Sequence, residues 1–377
     1  MRTVFLTTGC FDKGGISRYC RYQIDALRAV LGPGNVKVLS LLGTDGTGFE
    51  TPFDVDWHGG KGGFWDKLQF SMSATRLVFA TKADVVHVAH VNMGPLALHL
   101  ARISGAKTLL NVYGLEVWSG LSRTRRRAMH SMNRIVADCN YTADYVAAER
   151  MHAVRPDVIW DCVDLERFMP GECPPEIRRK YGLPDKRDAF VIMSLGRLSR
   201  NARHKGYDRL IEVFGTVHRQ ASQARLVIAG HGDDRPRLEE LAAQQGVRDA
   251  VIFTGMVEEC DLANCYRAAT VFSLVSDRGK GRGEGVPLTP LEAMACGVPV
   301  VVGNQDGSQE AVASGANGFV VGPFDYPAHT DALLSMIQSP DLLERMQRGA
   351  REVAERQFGY GRFLEQHRVL YSNLKAG

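Results

Sequence analysis

Two carboxylates frame the stretch GEGVPLTPLEAMACGVPVVV, residues 283–302: Glu284 in a glycine-rich loop and Glu292 in the helix that follows. Thr289 reads as an N-cap, Pro290 as the first helical residue and Glu292 as the third-position glutamate of a capping box. Glu292 therefore has a structural reading, as a cap, beside a ligand-binding one. Glu284 has no such structural duty. It stands among Gly279, Gly281, Gly283 and Gly285, and a chain that flexible is commonly shaped around something else. The N–H groups of Leu288 and Thr289 open the helix and make its start a site for an anion.

Three further loops carry chemistry. In GRLSRNARHKGYDRLI, residues 196–211, Arg197 follows a strand directly and Lys205 precedes the next helix, so both cations can reach one anion. Arginine offers a fixed fork of donors and lysine a mobile point charge, a pairing suited to a diphosphate. The competing reading is a solvated basic loop, for Arg200 and Arg203 lie in it too; on either reading a loop lysine should contribute little to the fold. In TTGCFDKGGISRY, residues 7–19, Gly9, Gly14 and Gly15 precede a helix and can turn N–H groups toward a phosphate. Its spacing is not that of the Gly-x-Gly-x-x-Gly dinucleotide fingerprint. The turns LVIAGHGDD and FTGMV end consecutive strands, and the backbone at Met256 and Val257 can hydrogen-bond a base or a ribose.

Such loops need strand ends to hold them. Apolar β-rich runs alternate with helical patterns along the whole chain: TVFLTT, VKVLSLL, DVVHVAH, KTLLNVY and RIVADC, then FVIMSLG, ARLVIAG, AVIFTG, TVFSLVS and VPVVVG. The spacing predicts crossover helices and parallel, doubly wound sheets, an α/β fold of two tandem Rossmann-like domains with a cleft between them. The boundary falls near the Pro-, Gly- and charge-rich stretch 167–188, giving domains 1–166 and 167–357, with a terminal helix 358–377 crossing back onto the first. Ligands of such sheets bind beyond the carboxyl ends of the strands, so the cleft is the expected site.

Composition narrows the function. A chain of 377 residues with 45% hydrophobic and 23% charged residues is an ordinary globular protein too long for one core. No run approaches the roughly 18 apolar residues of a membrane span, and the N-terminus opens into a strand rather than a signal peptide, so a cytoplasmic protein is expected. Eight cysteines lack any zinc spacing, and a net charge of +4 is too weak to announce nucleic acid. Asp54-Val-Asp56 has the form of a metal-binding pair but lies away from the phosphate-facing loops; no metal or cofactor is expected. The densest basic run, Arg123 to Arg127, suits either a solvated helix face or contact with an acidic membrane surface or a phosphate-bearing acceptor.

Taken together, Arg197 and Lys205 in a Gly-Arg/Lys-Gly loop, Glu284 and Glu292 in a Glu, seven residues, Glu motif, and the following EAMACGVPVV resemble the donor domain of family 4 glycosyltransferases of the GT-B fold. Similarity extends over nearly the full length, through VDLERF and GSQEAV to NGFVV. The resemblance implies a retaining glycosyltransferase that moves a hexose from a nucleoside-diphosphate sugar, UDP- ahead of GDP-, to a saccharide or lipid-linked acceptor in bacterial polysaccharide or glycolipid assembly. It implies Glu292 at the ribose, Leu288 and Thr289 at the phosphates, Glu284 beside the transferred sugar, Arg197 and Lys205 on the departing diphosphate, and the Gly14–Gly15 turn approaching that diphosphate.

Two departures stand out. VYGLEVW places Tyr113 where many relatives have a histidine near the sugar, and Asp161-Cys162 replaces a common Asn-Gly at the interdomain stretch. Tyr113 can hydrogen-bond a sugar hydroxyl or lie in the core at a strand end. Two other readings remain open: a nucleotide-sugar epimerase using His87, His90 and Glu116, and a catalytically silent sugar-nucleotide-binding partner subunit, suggested by Tyr113. A basic acceptor domain also implies peripheral contact with the inner face of the membrane.

Overall fold

The computed structural model describes residues 1–11, 14–42, 55–58, 61–279, 283–313 and 315–376, so Asp54 and Gly281 lie outside the described residues. The chain divides into two compact units, Met1–Cys162 with Tyr360–Gly377, and Val163–Gly359. These limits differ from the 166/167 and 357/358 boundaries read from the sequence. The cause is a pairing inside the second unit: Val163 bridges Gly359, and its N–H donates to the Phe358 carbonyl at 2.8 Å.

The first unit is built on seven parallel strands, β1 (Thr3–Gly9), β2 (Val36–Leu42), β3 (Asp56–Trp57), β4 (Val85–Val88), β5 (Lys107–Val112), β6 (Arg134–Ala137) and β7 (Asp157–Val158), in the order β3-β2-β1-β4-β5-β6-β7. Chain order reverses between β1 and β4, which makes the loops after those strands the switch point where doubly wound sheets take ligands. One face is covered by helices Phe64–Thr81, Gly94–Ser104 and Arg123–His130, whose core side chains include Phe70, Ala97 and Met129. The other carries helix Gly15–Leu31, with Tyr19, Ile24 and Leu27 inward, and the terminal helix Tyr360–Ala376 packed against it through Phe363.

The second unit repeats the plan with six parallel strands, β8 (Phe190–Leu195), β9 (Ala224–Ala229), β10 (Val251–Gly255), β11 (Val271–Leu274), β12 (Val300–Gly303) and β13 (Gly318–Val321), ordered β10-β9-β8-β11-β12-β13. Its switch point lies between β8 and β11. The sequence pattern anticipates ten of the thirteen strands found among the described residues; β3 and β7 are two residues long, too short to show a period, and β13 is a four-residue edge opened by Gly318. That glycine is required, since a Cβ there would lie 1.9 Å from the Val300 carbonyl oxygen. The central runs are buried on both faces, as the near-continuous Val/Ile/Leu of Val300–Gly303 and Ala224–Ala229 demand.

Candidate active site

At the second unit's switch point the loop after β8 meets the loop after β11. The first begins at Arg197 and passes through a short turn, Arg200–Lys205, into helix Tyr207–Gln220. Gly206 makes the entry with φ 75°, and a Cβ there would meet the Val275 carbonyl at 2.5 Å, so only glycine allows the loop to lie this close to the end of β11. The Asp277 N–H donates to the His204 carbonyl at 2.8 Å, and the Arg209–Asp277 ion pair, also 2.8 Å, closes the contact.

Those contacts bring three side chains together. Lys205 Nζ lies 2.6 Å and His204 Nε2 3.1 Å from Glu284 Oε1, with the Lys205 and Glu284 side chains 14% and 20% exposed. Burial alone would raise the Glu284 carboxyl; the Lys205 charge and the hydrogen bonds from His204 and Lys205 outweigh it and hold the carboxyl down at about 2. Glu284 is therefore ionised throughout the physiological range. Its backbone is fixed as well, because its N–H donates to Asp306 Oδ2 at 2.8 Å and its carbonyl accepts from the Gly307 N–H at 3.1 Å. Asp306 is fully buried, and its carboxylate also accepts from the Ser276 hydroxyl at 2.6 Å and the Ser308 N–H at 3.0 Å. Burial keeps its carboxyl above the usual carboxylate range against those hydrogen bonds.

Two polar atoms beside this cluster, Tyr207 Oη and His204 Nδ1, are buried without a hydrogen-bond partner among the described residues. A native fold rarely leaves such groups unsatisfied. Arg197 is exposed and joins no ion pair among the described residues, leaving its guanidinium available.

Helix Leu288–Ala295 corrects the capping-box reading. Pro287, not Thr289, is its N-cap, no side chain caps it, and Pro290 is the third helical residue. The first-turn N–H groups, those of Leu288 and Thr289 included, thus stand open at the positive end of the helix. Glu292 is one turn further in, 2% exposed, and its Oε2 accepts from the Tyr266 hydroxyl at 2.7 Å. The basic-loop expectation is corrected too: Lys205 is not a mobile surface cation but a part-buried partner of Glu284.

Met256 is exposed just beyond β10, with Val257 half-buried beside it. In the first unit Gly14 precedes helix Gly15–Leu31, whose N-terminus likewise lacks a side-chain cap. Tyr113 lies in the core at the end of β5, 7% exposed; its hydroxyl accepts from Asn111 Nδ2 at 3.0 Å and contacts Cys20 Sγ at 3.8 Å. The structure thus places its phenol inside the fold. His87, considered above as an acid–base group, is fully buried, and burial lowers it to about 3. Among the described residues the metal-like group Glu258, Cys260 and Asp261 is held by Lys180, 3.0 Å from Glu258 and 2.8 Å from Asp261.

Sequence reasoning missed His204, Tyr207, Tyr266 and Asp306. The signal for the first was its place beside Lys205; for Asp306 it was an Asp-Gly pair after a buried strand, a turn signature whose carboxylate caps the next turn.

Two doubly wound parallel sheets in tandem, each with its own switch point, and in the second a carboxylate held by a lysine and a histidine, are the plan of the GT-B fold. The chain belongs to glycosyltransferase family 4: residues 13–167 match the description "Glycosyltransferase Family 4" and residues 175–353 match "Glycosyl transferases group 1". It is 32% identical over 268 residues, 68% of each chain, to the GDP-mannose-dependent alpha-(1-6)-phosphatidylinositol monomannoside mannosyltransferase of Mycobacterium tuberculosis. Over 322 residues, 78% of this chain and 73% of the relative, it is 30% identical to D-inositol 3-phosphate glycosyltransferase 1 of Catenulispora acidiphila. The match to the corresponding mannosyltransferase of Mycolicibacterium smegmatis spans 65% of that protein's length. In fold it is similar to Anabaena HepE, crystallised in complex with UDP, at a TM-score of 0.80, 17% identity and coverage of 99% and 100% of the two chains. Sucrose-phosphate synthase of Thermosynechococcus elongatus gives 0.79 at 20% identity over all of both chains. Among the described residues no helix is long and apolar enough to cross a membrane.

Proposed function

We propose that this protein is a retaining hexosyltransferase that moves a sugar from UDP or GDP to the hydroxyl of a lipid-linked or saccharide acceptor in bacterial glycolipid or polysaccharide assembly. The observation that carries this reading is the Lys205–His204–Glu284 cluster at the second unit's switch point. When the bond from anomeric carbon to diphosphate breaks, a full negative charge gathers on the leaving group. Lys205, Arg197 and the Leu288 and Thr289 N–H groups are the donors to stabilise it, with Gly14 and Gly15 as a further approach, so the reading calls for no divalent metal. Glu284, held ionised, is assigned to the transferred sugar and Glu292 to the ribose; the backbone at Met256 and Val257 is assigned to the base. The donor base is one of two: the mannosyltransferase relative is named for GDP-mannose, and HepE was crystallised with UDP. A lipid-linked acceptor is supported by the phosphatidylinositol monomannoside in that relative's name, and it would bring the protein to the inner face of a membrane as a peripheral enzyme.

The test is a thermal-shift panel of UDP, GDP, ADP and dTDP and their sugars, run in EDTA. Ligand at a hundred times its Kd stabilises a fold by about 2.7 kcal/mol, roughly 5 to 10 °C for a unit of this size. UDP or GDP should stand apart from the other three. Equal silence from all four overturns the donor-site assignment, and binding that appears only on adding Mg²⁺ overturns the metal-free part.

A further inference from the structure

Helix Phe64–Thr81 has two apolar faces. Phe70, Ala74 and Val78 are buried against the sheet of the first unit, as a covering helix requires. Yet Phe64 is 73% exposed, Trp65 71%, Met72 59%, Phe79 52% and Leu68 41%. At 100° per residue those five fall within one arc of about 100° on the side away from the core. Single exposed apolar residues need no explanation, but five on one face, two of them aromatics in edge contact at 5.5 Å, mark an interaction surface.

The charge around this face identifies what it meets. Helix Gly94–Ser104 packs against both Phe64–Thr81 and Arg123–His130, so the three form one layer. Asp66 is the only carboxylate in these three helices, against seven lysines and arginines. Asp66 is also turned to its own backbone, accepting from the Gly63 N–H at 3.0 Å. Arg76 borders the apolar arc, Arg102 lies on the middle helix, and Arg123, Arg126, Arg127, His130 and Arg150 line one depression at the far side. Among the described residues none of those last four arginines joins an ion pair with a carboxylate.

We propose that this layer is a membrane-docking surface for an anionic lipid bilayer, with Phe64, Trp65, Leu68, Met72 and Phe79 inserted at the headgroup boundary and the arginines seated on lipid phosphates. It deepens the peripheral-enzyme reading given above and rests on it for its biological setting. Aromatic and aliphatic side chains on one helical face with basic groups beside them are what an interfacial helix needs, and neither part suffices alone. A second copy of this chain fits worse. A two-fold contact over this face would bring the arginine-rich side into apposition with like charge or leave it bare. An acidic protein partner would match the arginines without accounting for the five exposed apolar side chains.

The experiment is vesicle flotation of the full chain without nucleotide sugar, using phosphatidylcholine vesicles with and without phosphatidylglycerol. Binding should require phosphatidylglycerol and weaken as salt is raised. Phe64→Ser/Trp65→Ser and Arg126→Glu/Arg127→Glu should each reduce partitioning by about tenfold or more. Both pairs lie on the surface, so circular dichroism and the nucleotide-induced melting shift should be unchanged. Brominated lipid should quench the tryptophan fluorescence, and Trp65→Phe should abolish most of that quenching. Three results overturn the proposal: no binding to either vesicle, binding that the Phe64/Trp65 pair leaves intact, or a dimer in solution that the same pair dissociates. Because nucleotide binding is read separately, loss of docking with the melting shift preserved refutes this surface alone, and the converse refutes the donor site alone.

Discussion

Each unit holds a polar cluster, the first within its sheet and the second on the loops beyond its strands, and the two are built on opposite principles. In the first, Gln23, His87, Asn111, His367 and Tyr371 hydrogen-bond one another: His87 Nε2 to Asn111 Oδ1 and His87 Nδ1 to the Tyr371 hydroxyl, both 2.9 Å, and Gln23 Nε2 to His367 Nε2, also 2.9 Å. All five are buried and formally neutral, for burial lowers His87 to about 3 and His367 to about 4. In the second unit Lys205 and Glu284 form an ion pair to which His204 is hydrogen-bonded, partly open to water, and among the described residues Tyr207 Oη and His204 Nδ1 have no hydrogen-bond partner beside it. A satisfied neutral network ties the terminal helix to the sheet and asks nothing of a ligand. A clamped carboxylate with spare donors is poised to exchange partners. The difference separates a cluster that specifies the fold from one that specifies chemistry.

The strongest way to break this contrast is Lys205→Ala. A preorganised donor that acts on charge developing in the transition state is worth about 10² to 10³ in rate, so kcat should fall by that factor with a smaller change in donor KM. The part-buried ion pair adds a stability cost of about 2 kcal/mol, because among the described residues Glu284 is left with His204 as its remaining side-chain partner. That cost has a pH signature. A carboxyl held near 2 in the fold, against 4.5 free, contributes stability fully above about pH 4.5 and loses it as pH falls toward 2, so wild type and variant should converge in acid. Adding Glu284→Gln should recover the stability but none of the rate. Near-normal kcat in Lys205→Ala would reduce the cluster to a fold contact like the one in the first unit.

His87→Phe probes the other side. Phenylalanine fits among Phe5 and Tyr371 but leaves the Tyr371 hydroxyl and Asn111 Oδ1 without one partner each, a loss of about 2 to 4 kcal/mol by urea midpoint. Donor binding should be untouched. An imidazole that stays neutral in the fold to about 3 binds its proton only when unfolded between about pH 6.5 and 3, so wild type loses stability on acidification across that window and the variant loses less. A fall in kcat with an unchanged midpoint would show that the buried network reaches the chemistry after all.

What the sequence made legible follows from range. Alternation of buried strands with amphipathic helices is local, and it yields the two doubly wound sheets; two-residue strands such as Asp56–Trp57 carry no period and escape it. Arg197, Lys205 and Glu284 are legible as candidates because their loops follow buried strands. That Lys205 and Glu284 touch is not legible, since it depends on β8 and β11 being neighbours across a switch point, a pairing between residues far apart in the chain. The exposed ridge of Phe64–Thr81 hides for a different reason: its two apolar faces blur the single stripe by which a covering helix is recognised.

The finest distinction concerns Glu292, whose place is intermediate between the two kinds of cluster: buried like the first, ionisable like the second. Glutamine at this position can still accept from the Tyr266 hydroxyl, but the hydrogen bond loses its charge assistance, and the fold should lose about 1 kcal/mol. Tyr266→Phe removes the same bond from the other end while leaving the carboxylate in place. If Glu292 binds the ribose of the donor, Glu292→Gln should raise donor KM by about tenfold, equivalent to roughly 1.4 kcal/mol, with kcat little changed, whereas Tyr266→Phe should shift stability and leave KM closer to wild type. A pair of variants that lose stability alike and bind donor alike would assign Glu292 to the scaffold, and the ribose would then have to be held by another acceptor in the second unit.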